Sequence, residues 1–190
     1  MDVIRNSSGE EQRRILESFW ESQLTSKGWL INTIRTLDIR PNKDVYVFGG
    51  WYGILASLIK DTFPLVNVFS VDIDPTCENV GKLLDQRVNF VTGNMKDFVF
   101  DDPNSVGLII NTSTEHIPQS TFDEWIDNVP DDVLIVLQGN NFFECKEHIR
   151  CVNSLEEFVS VSKIKNIIYE GTLDCKEFTR FMIIGYKNAN

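Results

Sequence analysis

The hydrophobic pattern of this chain changes period every few residues, and the changes mark out its elements. Val45-Tyr46-Val47-Phe48 is an apolar run too short, too β-branched and too aromatic for a helix, and predicts a strand. Gly49-Gly50-Trp51-Tyr52-Gly53 follows, after which Ile54, Leu55, Leu58 and Ile59 recur at helical spacing. A second apolar run, Val66 to Val71, ends on Asp72. Strand, glycine turn, helix and a strand with a terminal acid make the half-unit that binds a nucleoside in doubly wound sheets. Glycine permits the sharp turn and a close ligand approach. The following helix offers unpaired N–H groups, and the acid can accept both hydroxyls of a ribose. Asp72 lies 72 − 53 = 19 residues after Gly53, near the spacing of about 20 for such an acid.

The same reading extends in both directions. Overlapping capping boxes, Ser7-x-x-Glu10 and Ser8-x-x-Glu11, predict a helix start near Ser8. Ile15, Leu16, Phe19, Trp20 and Leu24 give that helix one apolar face, Gly28 suggests a break, and Trp29 to Leu37 continues to the stop at Pro41. Residues 1–38 are read as an N-terminal helical preface or lid, and 39–190 as the cofactor-binding domain. Gln23, Ser26 and Lys27 interrupt the apolar pattern, facing either a substrate or solvent. Downstream, Pro75 to Leu84 predicts a helix entered through Asp74 as N-cap. Strands are expected at Val88–Val91, Val106–Ile110 and Val133–Leu137, with helices at Thr121–Asn128 and after Ser154. Ile167–Thr172 and Phe178–Tyr186 close the chain as an antiparallel pair. The fold class is α/β, doubly wound.

The turn is not the dinucleotide pattern G-x-G-x-x-G, which from Gly49 requires glycine at Trp51 and Ile54. It resembles motif I of the class I, Rossmann-like S-adenosylmethionine-dependent methyltransferases, commonly D-x-G-x-G-x-G. Here the motif reads Val47-Phe48-Gly49-Gly50-Trp51-Tyr52-Gly53, with Val47 replacing the acid and Trp51 the middle glycine. Those enzymes carry seven strands with the last antiparallel, and the element order over residues 39–190 matches. The resemblance implies S-adenosyl-L-methionine as cofactor, held by Gly49, Gly50, Trp51, Tyr52 and Gly53, by Asp72 and Ile73, by Asn94 and Met95, and by Asn111. In this family the strand before Asn94 often ends in an acid that meets the adenine amino group; the Asn94 carbonyl can accept the same hydrogen bond.

Candidate catalytic groups follow the strand Val106–Ile110, where open α/β sheets place their chemistry. Glu115 and His116 are the candidates to take the proton of an amine or hydroxyl acceptor. Asn111-Thr112-Ser113-Thr114 lacks the proline and aromatic residue of an amide-methylating motif. Gln138, Asn140 and Asn141 are candidates to orient a small polar substrate. The leading expectation is a methyltransferase acting on a small molecule or a free side chain. A non-catalytic binding module of the same fold and a nicotinamide-dependent oxidoreductase stand as alternatives. Trp51 or Tyr52 is expected to lie near the cofactor sulfonium.

Composition narrows the partners. The net charge of −10 and pI of about 4.7 come with scattered cations, whereas nucleic-acid binding calls for a basic stripe. No apolar run reaches the roughly 20 residues of a membrane span. The N-terminus carries no hydrophobic signal core, so a cytoplasmic protein is expected. The four cysteines show no C-x-x-C, and with only His116 and His148 available no structural zinc site is expected.

Overall fold

The computed structural model describes residue 4 and residues 7–188; the beginning of the expected preface (1–3, 5 and 6) and residues 189–190 lie outside the described residues. Two helices come first, α1 (Gly9–Glu17) and α2 (Glu21–Thr36). The α/β domain then runs β1 (Asp44–Phe48), α3 (Ile54–Thr62), β2 (Val68–Asp72), α4 (Pro75–Leu84) and β3 (Asn89–Thr92). It continues through β4 (Val106–Asn111), α5 (Gln119–Asn128), β5 (Leu134–Asn140), α6 (Leu155–Val161), β6 (Asn166–Asp174) and β7 (Thr179–Tyr186). The sheet order is β3-β2-β1-β4-β5-β7-β6, parallel except for β7, which pairs antiparallel with both β5 and β6. This is the expected doubly wound, seven-stranded sheet with an antiparallel last strand.

Period-two alternation along the strands sorts the core into two layers. Val45, Val47, Leu108, Ile110 and Val136 pack on one face with Leu30 and Ile34 of α2 and Leu55 and Ile59 of α3. Tyr46, Phe48, Ile109, Ile135 and Leu137 pack on the other with Phe122 and Trp125 of α5 and Phe158 of α6. Burying each such side chain contributes about 1.5–3 kcal/mol. With both faces covered, polar chemistry is left to the edge where the strands end. The strand order reverses between β1 and β4, which opens a crevice at their carboxyl ends.

Two expectations for the preface are corrected. Gly28 does not break a helix, since α2 runs straight through it; the break falls at Ser18–Trp20. The expected continuous apolar face therefore splits. Ile15 is fully buried, whereas Leu16, Phe19, Trp20 and Leu24 are all exposed. The capping box at Ser8 and Glu11 is formed as read.

Two helical glycines test the packing with opposite signs. Gly28 has open space where a Cβ would stand, while a Cβ on Gly81 in α4 would overlap the buried ring of Phe90. Gly28→Ala should stabilise the protein by about 0.5–1 kcal/mol through helix propensity. Gly81→Ala gains the same propensity but overpacks, for a net loss of about 1–3 kcal/mol. Urea unfolding of the two variants checks both signs.

Candidate active site

The crevice is a cavity of about 840 Å³, within the range of roughly 300–1,000 Å³ usual for small-molecule sites. Its floor is built from the ends of β1 to β4, and α1 and the start of α2 cover it with Arg14, Trp20, Gln23 and Lys27.

The turn after β1 is held by main-chain geometry. Gly49 has φ +61° and Gly53 φ +79°, conformations that strain any L side chain. Trp51 adopts φ +50° although it is not glycine, so the position keeps a glycine's backbone while carrying an indole. Its N–H donates to Asp72 Oδ2 at 2.9 Å, and the Asp74 N–H donates to Asp72 Oδ1 at 3.1 Å. Asp72 thus clamps the glycine turn to the end of β2. Gly53 precedes α3 without a side-chain cap, so the first N–H groups of that helix are left for another acceptor.

Of the residues singled out from sequence, Gly49, Gly50, Trp51, Tyr52, Asp72, Ile73, Asn94, Met95, Glu115 and His116 all line this cavity. Gly53 lies behind the turn against Phe90. Asn111 is fully buried, its Oδ1 accepting from the Ser113 N–H and its amide 3.9 Å from Met95 Sδ; the cavity wall is formed instead by Thr112 and Ser113. Asn94 Oδ1 accepts from the Lys96 N–H while lining the cavity. The Tyr52 ring is buried, stacked on Trp51 and met from its face by the Arg14 guanidinium at 5.7 Å. Of the two aromatic residues, Trp51 is the more exposed to the cavity.

Gln138 and Asn140 are fully buried and away from the cavity wall, which corrects their reading as substrate-orienting groups. Gln138 donates to the Ser26 carbonyl, and Asn140 donates to Glu115 Oε1 at 2.7 Å. Asn141 accepts from the Thr179 N–H and braces β7.

At the far end of the cavity the Glu115 side chain is 3% exposed. Arg180 Nη2 approaches its Oε1 at 3.4 Å, while Oε2 has no hydrogen-bond partner among the described residues. The Glu115 carbonyl accepts from the N–H groups of Ile149 and Arg150, drawing the loop after β5 against β4. That loop delivers His148, whose ring lies edge-on to His116 with centroids 4.7 Å apart. Burial pushes the His148 imidazole below its ordinary value; Glu115 opposes the shift and His116 adds to it. Burial likewise pushes the Lys27 ammonium down to about 8, with Arg180 adding and Glu115 opposing.

Sequence reasoning missed His148 as a wall of the site, because only the tether through the Glu115 carbonyl brings the loop home. It missed Arg14 for a similar reason: its partner Asp74, at 2.6 Å, is 60 residues away.

Solved structures of low sequence identity share this fold. The PH0226 protein from Pyrococcus horikoshii aligns with a TM-score of 0.69 at 12% identity, over 94% of this chain and 99% of that one. Magnesium protoporphyrin IX methyltransferase from Synechocystis, solved with bound S-adenosylmethionine, aligns with a TM-score of 0.68 at 11% identity, over 98% and 90% of the two chains. A TehB-like S-adenosylmethionine-dependent methyltransferase from Corynebacterium glutamicum aligns with a TM-score of 0.58 at 11% identity, over 87% and 98%. No protein-family model matches the sequence, and no curated protein does. The chain has the class I S-adenosylmethionine-dependent methyltransferase fold. Among the described residues no helix is long and apolar enough to cross a membrane.

Asp74 caps α4 by accepting from the Thr76 N–H at 2.9 Å and pairs with Arg14 of α1. Hydrogen bonds from Thr76, reinforced by Arg14, hold its carboxyl at about 2, below the ordinary 3.8. A depressed acid contributes stability that is complete above its unfolded value and fades as pH falls through the folded one. Asp74→Ala should cost about 1 kcal/mol at neutral pH, with the difference from wild type shrinking between pH 3.8 and about 2. Urea unfolding across that range checks it.

Proposed function

We propose that this protein is an S-adenosyl-L-methionine-dependent methyltransferase whose acceptor is a small molecule or a free side chain. The observation that carries the reading is the clamp of Asp72 on the Trp51 N–H, with the uncapped start of α3 beside it. In this reading each Asp72 oxygen, already accepting one backbone N–H, uses its remaining lone pair for a ribose hydroxyl. Asn94 and Met95 receive the adenine, and Ile73 covers its face from the end of β2. The sulfonium end lies toward Thr112 and Ser113, and the acceptor enters at Glu115 and His116. Within the preface of 1–38, α1 and α2 act as the cover of a cofactor domain, 39–190, with α1 tied down by the Arg14–Asp74 pair.

Methyl transfer from a sulfonium is an in-line displacement with a good leaving group, so the protein mainly positions two reactants and excludes water. Glu115 and His116 handle the acceptor, whose proton must leave as its oxygen or nitrogen attacks. The acidic chain, with its scattered cations, favours a small acceptor over nucleic acid.

Calorimetry with S-adenosylmethionine, S-adenosylhomocysteine and NAD tests the cofactor. Both sulfur nucleosides should bind and NAD should not. Asp72→Ala should weaken both about tenfold or more, the loss of a charge-assisted hydrogen-bonded pair worth about 1.5–3 kcal/mol. Binding of NAD alone overturns the reading.

The indole at a glycine position gives specific support to one competitor, a binding module without catalysis. An aromatic face attracts a cation by about 0.5–2 kcal/mol, so in a transferase Trp51→Gly should weaken S-adenosylmethionine more than S-adenosylhomocysteine. If the substitution tightens both equally, Trp51 is an obstruction and the non-catalytic module is the better account.

A further inference from the structure

The far end of the cavity holds three groups that offer lone pairs to one another. One carboxylate oxygen of Glu115 and one ring nitrogen from each of His116 and His148 lie within 4.8 Å of one another. His116 Nδ1 stands 3.1 Å from the Glu147 carbonyl oxygen, and His148 Nδ1 stands 3.1 Å from the Phe142 carbonyl oxygen. A carbonyl oxygen only accepts, so each Nδ1 carries a proton, and in the neutral ring that metal binding requires each Nε2 offers its lone pair. This is the arrangement that fixes the tautomer of a metal-ligating histidine, its second nitrogen donating to a backbone carbonyl.

Glu115 supplies an independent observation. Its side chain is buried, Oε1 is occupied by Asn140 and Arg180, and Oε2 has no hydrogen-bond partner among the described residues. A buried carboxylate oxygen without a partner costs about 1–3 kcal/mol or more. Arg180 is engaged on the other side, donating to Thr112 O and to Oε1, so it does not serve Oε2.

We propose that Glu115, His116 and His148 bind a divalent transition-metal ion, and that the ion's open positions take a hydroxyl-bearing acceptor. Two imidazoles and a carboxylate are the donor set of open catalytic sites, with three protein ligands and room for a substrate. Ligands of a tetrahedral ion at about 2.1 Å sit roughly 3.4 Å apart. The three donors, within 4.8 Å of one another, draw closer when an ion is bound, His116 being the exposed member of the three.

This deepens the methyltransferase reading and rests on it for the methyl donor. The ion polarises the acceptor hydroxyl and lowers its pKa, so that its proton passes to water. The oxygen–carbon bond forms as the carbon–sulfur bond breaks, and the sulfonium leaves as a neutral thioether. Glu115 and His116 then act on the acceptor through the ion rather than as direct proton acceptors.

The test uses the full chain without a histidine tag, stripped with chelator and titrated calorimetrically with Zn²⁺, Mn²⁺ and Co²⁺ in turn, and separately with S-adenosylhomocysteine. At least one ion should bind saturably at one per chain. The affinity should fall roughly ten- to a hundredfold or more in His116→Ala and in His148→Ala, both of which should retain S-adenosylhomocysteine binding as evidence of an intact fold. Absence of saturable ion binding in a chain that binds S-adenosylhomocysteine overturns the metal site alone, as does wild-type ion affinity in either histidine variant. Ion binding that depends on both histidines, in a chain that binds no sulfur nucleoside, supports the metal site and removes the transferase reading.

Discussion

The hydrogen bond from the Trp51 N–H to the Asp72 carboxylate is the contact on which the β1–β2 end of the crevice depends. Parallel strands β1 and β2 stop at the same edge, where the Gly50 N–H still donates to the Val71 carbonyl and the chain then turns away. Asp72 fixes that turn by accepting the Trp51 N–H with one oxygen and the Asp74 N–H with the other. Bonds to a charged acceptor are worth about 1.5–3 kcal/mol, enough to offset the roughly 1–3 kcal/mol of a non-glycine residue held in the left-handed region. The same carboxylate therefore permits Trp51 where the resembling motif has glycine, and sets the start of α3.

From that turn the restraint passes outward to the helical cover. Trp51 stacks on Tyr52, which packs with Ile15 of α1 and with Cys77 and Val80 of α4. Asp74, two residues after the clamp, caps α4 and also anchors Arg14 of α1. The cover is thus fastened to the same few residues that shape the turn. Asp72 and α1 are thus joined by two short chains of contacts, one apolar and one ionic.

The sheet domain was readable because each of its signals is local. Apolar runs of strand length, Pro75 after a capping Asp74 and the helix start after Ser154 all depend on signals within a few residues, and each formed where expected. The glycine turn and Asp72 were legible for the same reason. What failed depended on distance or on context. The apolar face of the preface was drawn as one continuous helix, but the turn at Ser18–Trp20 rotates Phe19, Trp20 and Leu24 away from Ile15. Gln138 and Asn140 carry polar side chains at a strand end, which suggested a substrate contact. They are instead consumed in the interior, by the Ser26 carbonyl and by Glu115.

Glu115 shows why such interior polar residues matter to the open end of the site. A buried carboxylate needs compensation, and Asn140 and Arg180 provide it on one oxygen only. Removing one partner of a buried ion pair costs about 3–5 kcal/mol, so Arg180 and Glu115 are locked to one another. The carbonyl of the same residue receives Ile149 and Arg150, so the position of His148 is tied to the residue it stands beside at the end of the cavity. Side chain and main chain of Glu115 thus fix one wall from β4 and another from the loop after β5. That end of the crevice is therefore held by one residue's side chain and main chain together, although only its first half, Glu115 and His116, was visible in the order of residues.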